Sequence, residues 1–267
     1  MSQNTKALRV RIKSVTSTMQ LTKAMGLVAS SKIRRANEAM NKGRDYGTAL
    51  DNMISALSAD RESLKSPYMK QRDSKKTRII VIAGDRGLAG GYNANVFRLA
   101  NQYPDAEFIP IGKRACDRYG KDSVSSENFS FDDAYNLADS LCSDFAEEKF
   151  DRLGIISTKY NSMMSQEAFI RWILPLEKSD RTDTAGIVFE PDHLTVLNNV
   201  VREYVSGIIT VCVRESFASE VAARRMAMDS AGKNAQQMIS DLQLEYNRAR
   251  QGAITQEITE IVAGSGD

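Results

Sequence analysis

A single histidine, His193, occurs in 267 residues. That scarcity thins the options for nucleophilic and acid–base catalysis, for which carboxylates or lysines could still serve. Cysteine is nearly as scarce. Cys116, Cys142 and Cys212 are odd in number, far apart and without a C-x-x-C pair, so neither a disulfide framework nor a zinc site is expected. No cofactor and no metal are expected. No apolar run approaches the roughly 20 residues that cross a bilayer, and the first residues lack the apolar core of a secretory signal. The expectation is a cytoplasmic chain without a transmembrane segment of its own. Proline is missing from the first sixty residues and from everything after Pro191, which leaves both ends free to form uninterrupted helices. There is no internal repeat and no low-complexity segment.

What is present is ordinary for a globular chain of one or two domains, with 42% apolar and 26% charged residues. Net charge is only +2, but ten lysines and arginines between Met1 and Tyr46 face only Glu38 and Asp45, a net of +8 that leaves −6 for the remainder. A segment this basic suits nucleic acid, anionic lipid or an acidic protein surface, and equally a solvated helix face. Nucleic acid ranks low among these, because Tyr46 is the first aromatic residue and no stacking platform is interleaved with the charges.

Periodicity organises both ends. Leu8, Ile12, Val15 and Met19 step by four, three and four, the seam of an amphipathic helix, and Met25, Val28, Lys32 and Ala36 extend it. Gly26, Gly43 and Gly47 weaken the pattern locally, by about 1 kcal/mol each against alanine, without ending it. One helix is expected from near Lys6 to near Ala59. At the other end Met228, Ala231, Ala235, Met238 and Leu242 step by three and four, as do Ile239, Leu242, Tyr246, Ala249 and Ala253, and Ile254, Ile258 and Ile261 finish the run. A helix from near Ile208 to Val262 would be roughly 80 Å long at 1.5 Å per residue, too long to bury itself in a small domain. The two are expected to wrap as an antiparallel coiled coil, with Met226, Met228 and Met238 in its core.

Between them the character changes. "RIIVIAG" (Arg78 to Gly84), "AEFIPIG" (Ala106 to Gly112) and "RLGIISTKY" (Arg152 to Tyr160) are strand-like, and helix-like "NANVFRLANQY" and "DDAYNLADSLCSDFAEEKF" separate them. That alternation is the pattern of a Rossmann-like α/β domain with a mostly parallel sheet. "EAFIRWILPL" (Glu167 to Leu176) and "AGIVFEP" (Ala185 to Pro191) are expected as further strands around a polar loop, "SDRTDTAG". The organisation expected is a helix over 1–60, an α/β domain over 76–206 and a second helix over 207–267. After the first strand comes "GDRGLAGGYN", a turn carrying Gly84, Asp85, Arg86, Gly87, Gly90, Gly91 and Asn93. Its G-x-x-G-x-x-G-G spacing fits neither G-x-G-x-x-G nor G-x-x-x-x-G-K-[ST]. A structural strand-to-helix turn and a phosphate-binding turn both remain open, the first favoured by spacing.

Three stretches taken together resemble the gamma subunit family of F-type ATP synthases, the central rotary stalk. "RVRIKSVTSTMQLTKAMGLVASSKIRRA" (Arg9 to Ala36) is similar to the family's R-I-x-S-V, T-K-A-M, V-A and S-K pattern. "GDRGLAGGYN" resembles its D-R-G-L-C-G-x-x-N turn. "ASEVAARRMAMDSAGKNAQQMISDLQLEYNRARQGAITQEITEIV" (Ala218 to Val262) carries the specific L-x-L-x-Y-N-R-A-R-Q and I-T-Q-E-I-x-E-I-V runs. The order is that of the family, end to end. The sequence departs from the pattern in having Ala89 for a cysteine, Arg225 for a methionine, Gly26 for a longer side chain and "AGSGD" for a more apolar tail, and it lacks the cysteine-pair insert of the chloroplast form.

The resemblance implies a coiled coil standing inside a ring of three alpha and three beta subunits, with the α/β domain docked on the epsilon subunit and the membrane c-subunit ring. It implies ATP chemistry in the ring and none in this chain, at the cytoplasmic face of the cell membrane. By the same resemblance Lys23, Met25, Lys32, Arg34 and Arg35 would meet an acidic loop of the beta subunits, and Arg224, Gln251, Thr255 and Glu257 would fall where the shaft meets the ring. The competing reading is a nucleotide-binding α/β enzyme that uses the Gly84 to Gly91 turn.

Overall fold

The computed structural model describes residues 3–72, 75–179 and 189–264. The chain divides into two compact units, Met1–Ser31 with Arg224–Asp267, and Lys32–Ala223. Helix α1 spans Gln3–Ser58 and helix α5 spans His193–Gly264, so the terminal helices each contribute to both units.

In the smaller unit Gly26 lies beside Arg225 and Met228, and Gly232 beside Thr22. Numbers that rise on one helix fall on the other, so the pair is antiparallel. The anticipated seam is there: Leu8 is buried, Ile12, Val15 and Met19 are half-buried, and Met228, Ala235, Ile239 and Leu242 are buried opposite. Met238 is an exception. It is 45% exposed because its neighbour Ile239 takes the seam position, and Met226 is half-buried. Ile254, Ile258 and Ile261 are exposed as well.

The larger unit is built on a sheet of strands β1 (Thr77–Ile82), β2 (Glu107–Ile111), β3 (Arg152–Ser162) and β4 (Ser165–Leu174), in the order β2-β1-β3-β4. The first three are parallel and β4 is antiparallel to β3, joined to it by the Met163–Met164 turn. Helices α2 (Tyr92–Ala100), α3 (Lys113–Tyr119) and α4 (Phe131–Ala146) lie in the connections. Strand β1 reads Ile-Ile-Val-Ile because it is central and covered on both faces. Ile80 and Ile82 pack with Leu57 of α1, Phe145 of α4 and Val205, Ile208 and Ile209 of α5. Ile79 and Val81 point the other way, to Val96 of α2 and Ala115 of α3. The result is an α/β/α sandwich in which the terminal helices supply part of one layer. An apolar window in α5 long enough for a membrane span is two-thirds buried here, so its apolarity serves the core.

Local chemistry explains the boundaries. Helix α4 starts with a capping box between Ser130 and Asp133, and α3 ends on Gly120 at φ 62°. Helix α5 starts at His193, earlier than the expected Ile208. Asp192 caps it, accepting from Thr195 N at 2.8 Å. Gly207, which reads as a helix breaker, sits inside the helix because Leu50 and Tyr46 of α1 pack onto it. Two short 3-10 turns (Glu62–Lys65 and Pro67–Met69) and α3 were not anticipated from periodicity, being under two turns long. Of the expected strand Ala185 to Pro191, residues 185–188 lie outside the described residues, and Phe189–Pro191 is irregular.

Gly112, between β2 and α3, has φ +96°, and a methyl group there would overlap the Ala83 carbonyl oxygen. Gly112→Ala is therefore expected to cost at least about 3 kcal/mol through strain and steric overlap. A melting midpoint lowered by roughly 6 °C or more would register it. Gly252→Ala, where nothing lies within 4 Å, is the control expected to hold or slightly raise that midpoint.

Candidate functional site

The glycine turn leaves the carboxyl end of β1, next to the point where the chain's path across the sheet reverses between β2 and β3. In open α/β sheets that switch point is where nucleotides bind. Here the crevice is filled by the chain itself. Helix α5 crosses it: Ser216 Oγ accepts from Thr158 N at 3.0 Å, Ser219 Oγ donates to Thr158 O at 3.2 Å, and Glu215 accepts from Tyr160 N at 3.0 Å. Tyr92 at the start of α2 donates its hydroxyl to Ser216 O at 3.0 Å. Glu220, 3% exposed, presses its carboxyl group against Gly84, where an added Cβ would lie 2.6 Å from the carboxyl carbon.

Several of the turn's polar groups bond within the chain. Gly84 N donates to Asn93 Oδ1 at 2.9 Å, and Gly84 O accepts from Arg114 N at 3.1 Å. Asp85 gathers four donors: Lys113 N at 3.0 Å, Ser126 N at 2.9 Å, Ser125 Oγ at 2.6 Å and Glu127 N at 3.2 Å. Burial pushes the Asp85 carboxyl up, but the Ser125 hydroxyl and the amides of Ser126, Lys113 and Glu127 outweigh it and hold the group below the usual carboxylate range. Leu88 at φ 61° and Gly90 at φ 58° make the tight reversal, and Ala89 is buried. Gly87 and Gly91 complete the loop, with Arg86 O accepting from Asn93 Nδ2 at 3.4 Å. Two carboxyl groups, Asp85 and Glu220, stand at the turn, and the Asp85 charge opposes a second anion at close range.

The basic residues divide between the units. Lys23 is exposed and Met25 half-buried in the smaller one. In the larger one Lys32 is ion-paired with Glu127, Arg34 is 83% exposed beside Glu38 at 4.0 Å, and Arg35 is exposed. Arg224 is half-buried. Gln251 and Thr255 are exposed one turn apart, with Thr255 Oγ1 donating to Gln251 O at 3.0 Å. The side chain of Glu257 lies outside the described residues. Burial pushes the Cys142 thiol up to about 12 and the Cys212 thiol up to about 11, so both stay protonated and unreactive.

Sequence reading missed the groups that bind the helices to the sheet. Arg171 of β4 reaches Asp51 of α1 at 2.5 Å and Tyr204 of α5 at 3.5 Å. Arg44 of α1 donates to Glu215 and to Tyr160 O, both at 2.6 Å. In the smaller unit Arg225 Nη1 donates to Gly26 O at 3.0 Å. All but the Arg171–Tyr204 contact join residues more than a hundred positions apart, and no local pattern announces them.

Residues 4–266 match the protein family described as ATP synthase. The ATP synthase gamma chain of Ruminococcus albus is 39% identical over 280 residues, covering 98% of this chain and 98% of that one. Among solved structures, a chain of the Euglena gracilis mitochondrial ATP synthase, OSCP/F1/c-ring, in rotational state 3, is similar with a TM-score of 0.69 at 18% identity, over 98% of this chain and 93% of that one. A chain of the Tetrahymena thermophila mitochondrial ATP synthase central stalk and c-ring gives a TM-score of 0.63 at 20% identity, over 79% and 99%. At these identities the structural likeness speaks for the fold.

Because the folded Asp85 carboxyl is more acidic than its unfolded counterpart, its contribution is complete above the unfolded value near 4 and is lost as pH falls through the folded one. Asp85→Asn is expected to cost about 2 kcal/mol at pH 7. In urea titrations the gap between wild type and variant should shrink from pH 5 to pH 3; a gap independent of pH would show that the charge is not what the four donors serve.

Proposed function

The chain belongs to the ATP synthase gamma-chain family, and from that membership we propose that it turns as the shaft coupling ion flow through a membrane rotor to ATP synthesis or hydrolysis in an alpha/beta hexamer. The observation that carries this reading is the match from residue 4 to residue 266, which takes in both terminal helices and the α/β part without a break. The proposed partners are three alpha and three beta subunits, the epsilon subunit and the c-subunit ring, with the chain held peripherally at the cytoplasmic face of the membrane. In this reading 1–60 and 207–267 are the shaft and 76–206 is the part that docks on the rotor.

The physics follows from symmetry. One asymmetric shaft cannot touch three identical beta subunits in the same way, so each rotational position favours a different conformation at each site. A tenfold change in nucleotide affinity requires a difference of about 1.4 kcal/mol between the contacts made to two conformations. Solvent-facing cations suit that scale, because their attraction to an acidic loop is made and broken without a large desolvation cost. Lys23, Arg34 and Arg35 are exposed for such contacts, Met25 is two residues on from Lys23, and Lys32 would exchange Glu127 for an acidic group of the ring. Gln251, Thr255, Glu257 and Arg224 would contribute polar contacts where the shaft meets the ring. The exposed Ile254, Ile258 and Ile261 suit an apolar sleeve around the shaft.

Mixed with alpha and beta subunits of a matching source, the chain is expected to enter the hexamer in one copy and support steady ATP turnover. Failure of an excess of it to join the hexamer or to alter turnover would end this reading. Lys23→Glu is expected to lower the ions moved per ATP hydrolysed while the amount of assembled complex stays the same; an unchanged ratio would remove the electrostatic role.

A further inference from the structure

In the smaller unit a cleft lies between the two helices beside a pair of glycines. Gly26 of α1 and Gly232 of α5 both line the gap, and a cleft of about 410 Å³ opens between them, with Thr22, Leu27 and Met228 in its walls. Each glycine forfeits about 1 kcal/mol of helix preference, and because Gly26 faces Met228 while Gly232 faces Thr22, the two backbones are weakened about one turn apart. The Gly26 carbonyl also accepts a bond from Ser30 Oγ at 2.9 Å, the kind of side-chain bond to residue i−4 that bends helices. Across the gap comes Arg225, half-buried, with Nη1 donating to that same carbonyl at 3.0 Å.

We propose that Arg225 is a positioning residue that clamps α1 to α5 at the glycine level and so holds the turn bearing Lys23 and Met25 in place. A guanidinium suits the task. Its long stem spans a gap that two missing side chains leave, and a charge-assisted bond to a carbonyl is stronger than a neutral one. Its neighbours bond within their own helices: Lys233 pairs with Asp229 at 2.8 Å, and Thr22 Oγ1 donates to Met19 O at 2.8 Å. The cleft also defines what can replace the clamp. A Cβ on Gly26 would lie 3.5 Å from Arg225 Nη1 and 3.6 Å from Met228 Cβ, ordinary contact distances. A longer side chain at position 26 needs the space that the guanidinium now uses. Arg225 and a side chain at position 26 are thus alternative fillings of one gap.

The consequence for coupling rests on the shaft reading, and the clamp itself does not, so the test has two arms. In the isolated full-length chain, Arg225→Met is expected to lower the melting midpoint by about 2–4 °C and to speed amide exchange around Gly26 about tenfold. Arg225→Lys should keep part of the protection, and Gly26→Met added to Arg225→Met should restore most of it by filling the cleft. Unchanged exchange in Arg225→Met, or no repair in the double variant, overturns the clamp. In the complex reassembled in ion-tight vesicles, Arg225→Met is expected to keep its ATP hydrolysis while ions moved per ATP fall at least about twofold, with recovery in the double variant. Unaltered coupling beside altered exchange overturns the positioning role and leaves a structural bond. If the wild-type chain fails to assemble at all, the shaft reading falls while the exchange data still decide the clamp.

Discussion

Glu220 lies against Gly84 so closely that no side chain fits between them, and the larger unit is organised around that contact. It requires a glycine at the end of β1, a turn that bends away at once, and a helix that crosses the carboxyl ends of the strands. Ser216, Ser219 and Glu215 then bond to β3 and Tyr92 to the helix backbone, so the crevice an α/β sheet ordinarily offers a ligand is closed by protein. A glycine-rich turn of this kind is commonly a cradle for phosphate. In this chain the same backbone freedom admits a carboxyl group from a distant helix.

Charged networks hold the same helices as well. Arg171 with Asp51 and Tyr204, and Arg44 with Glu215 and the Tyr160 carbonyl, each tie α1 and α5 to β3 or β4. Such partly buried pairs offer little net stability, since desolvation offsets much of their attraction. Their geometry is demanding, however, and a one-turn slip of either helix would leave a charge unpartnered in a poorly solvated place. Apolar packing by Leu57, Val205 and Ile208 tolerates sliding more readily, so the networks set register where the core supplies adhesion.

Much of this was readable in the chain. Strand β1 shows itself as Ile-Ile-Val-Ile, the seam of α1 as Leu8, Ile12, Val15 and Met19, and the turn as four glycines in eight residues, because each depends on neighbours in sequence. What escaped depends on neighbours in space. Gly207 looks like an end of α5 until Leu50 and Tyr46 are seen resting on it. Met238 fits the three-four pattern, but Ile239 takes the position. Glu220 looks like any helix carboxylate, and only the approach of Gly84 distinguishes it. Arg225 and Gly26 are each odd choices in isolation, one a cation and the other a helix weakener; the reason for both is that they meet.

The three cysteines have a meaning beyond their lack of chemistry. Cys116, Cys142 and Cys212 are all buried, two of them with thiols that burial keeps firmly protonated, so the native surface is silent toward thiol reagents. A cysteine introduced at an exposed position of either terminal helix would stand alone against that background. The chain thus comes ready for a single dye, spin label or bead at a chosen height, with no native residue to remove first.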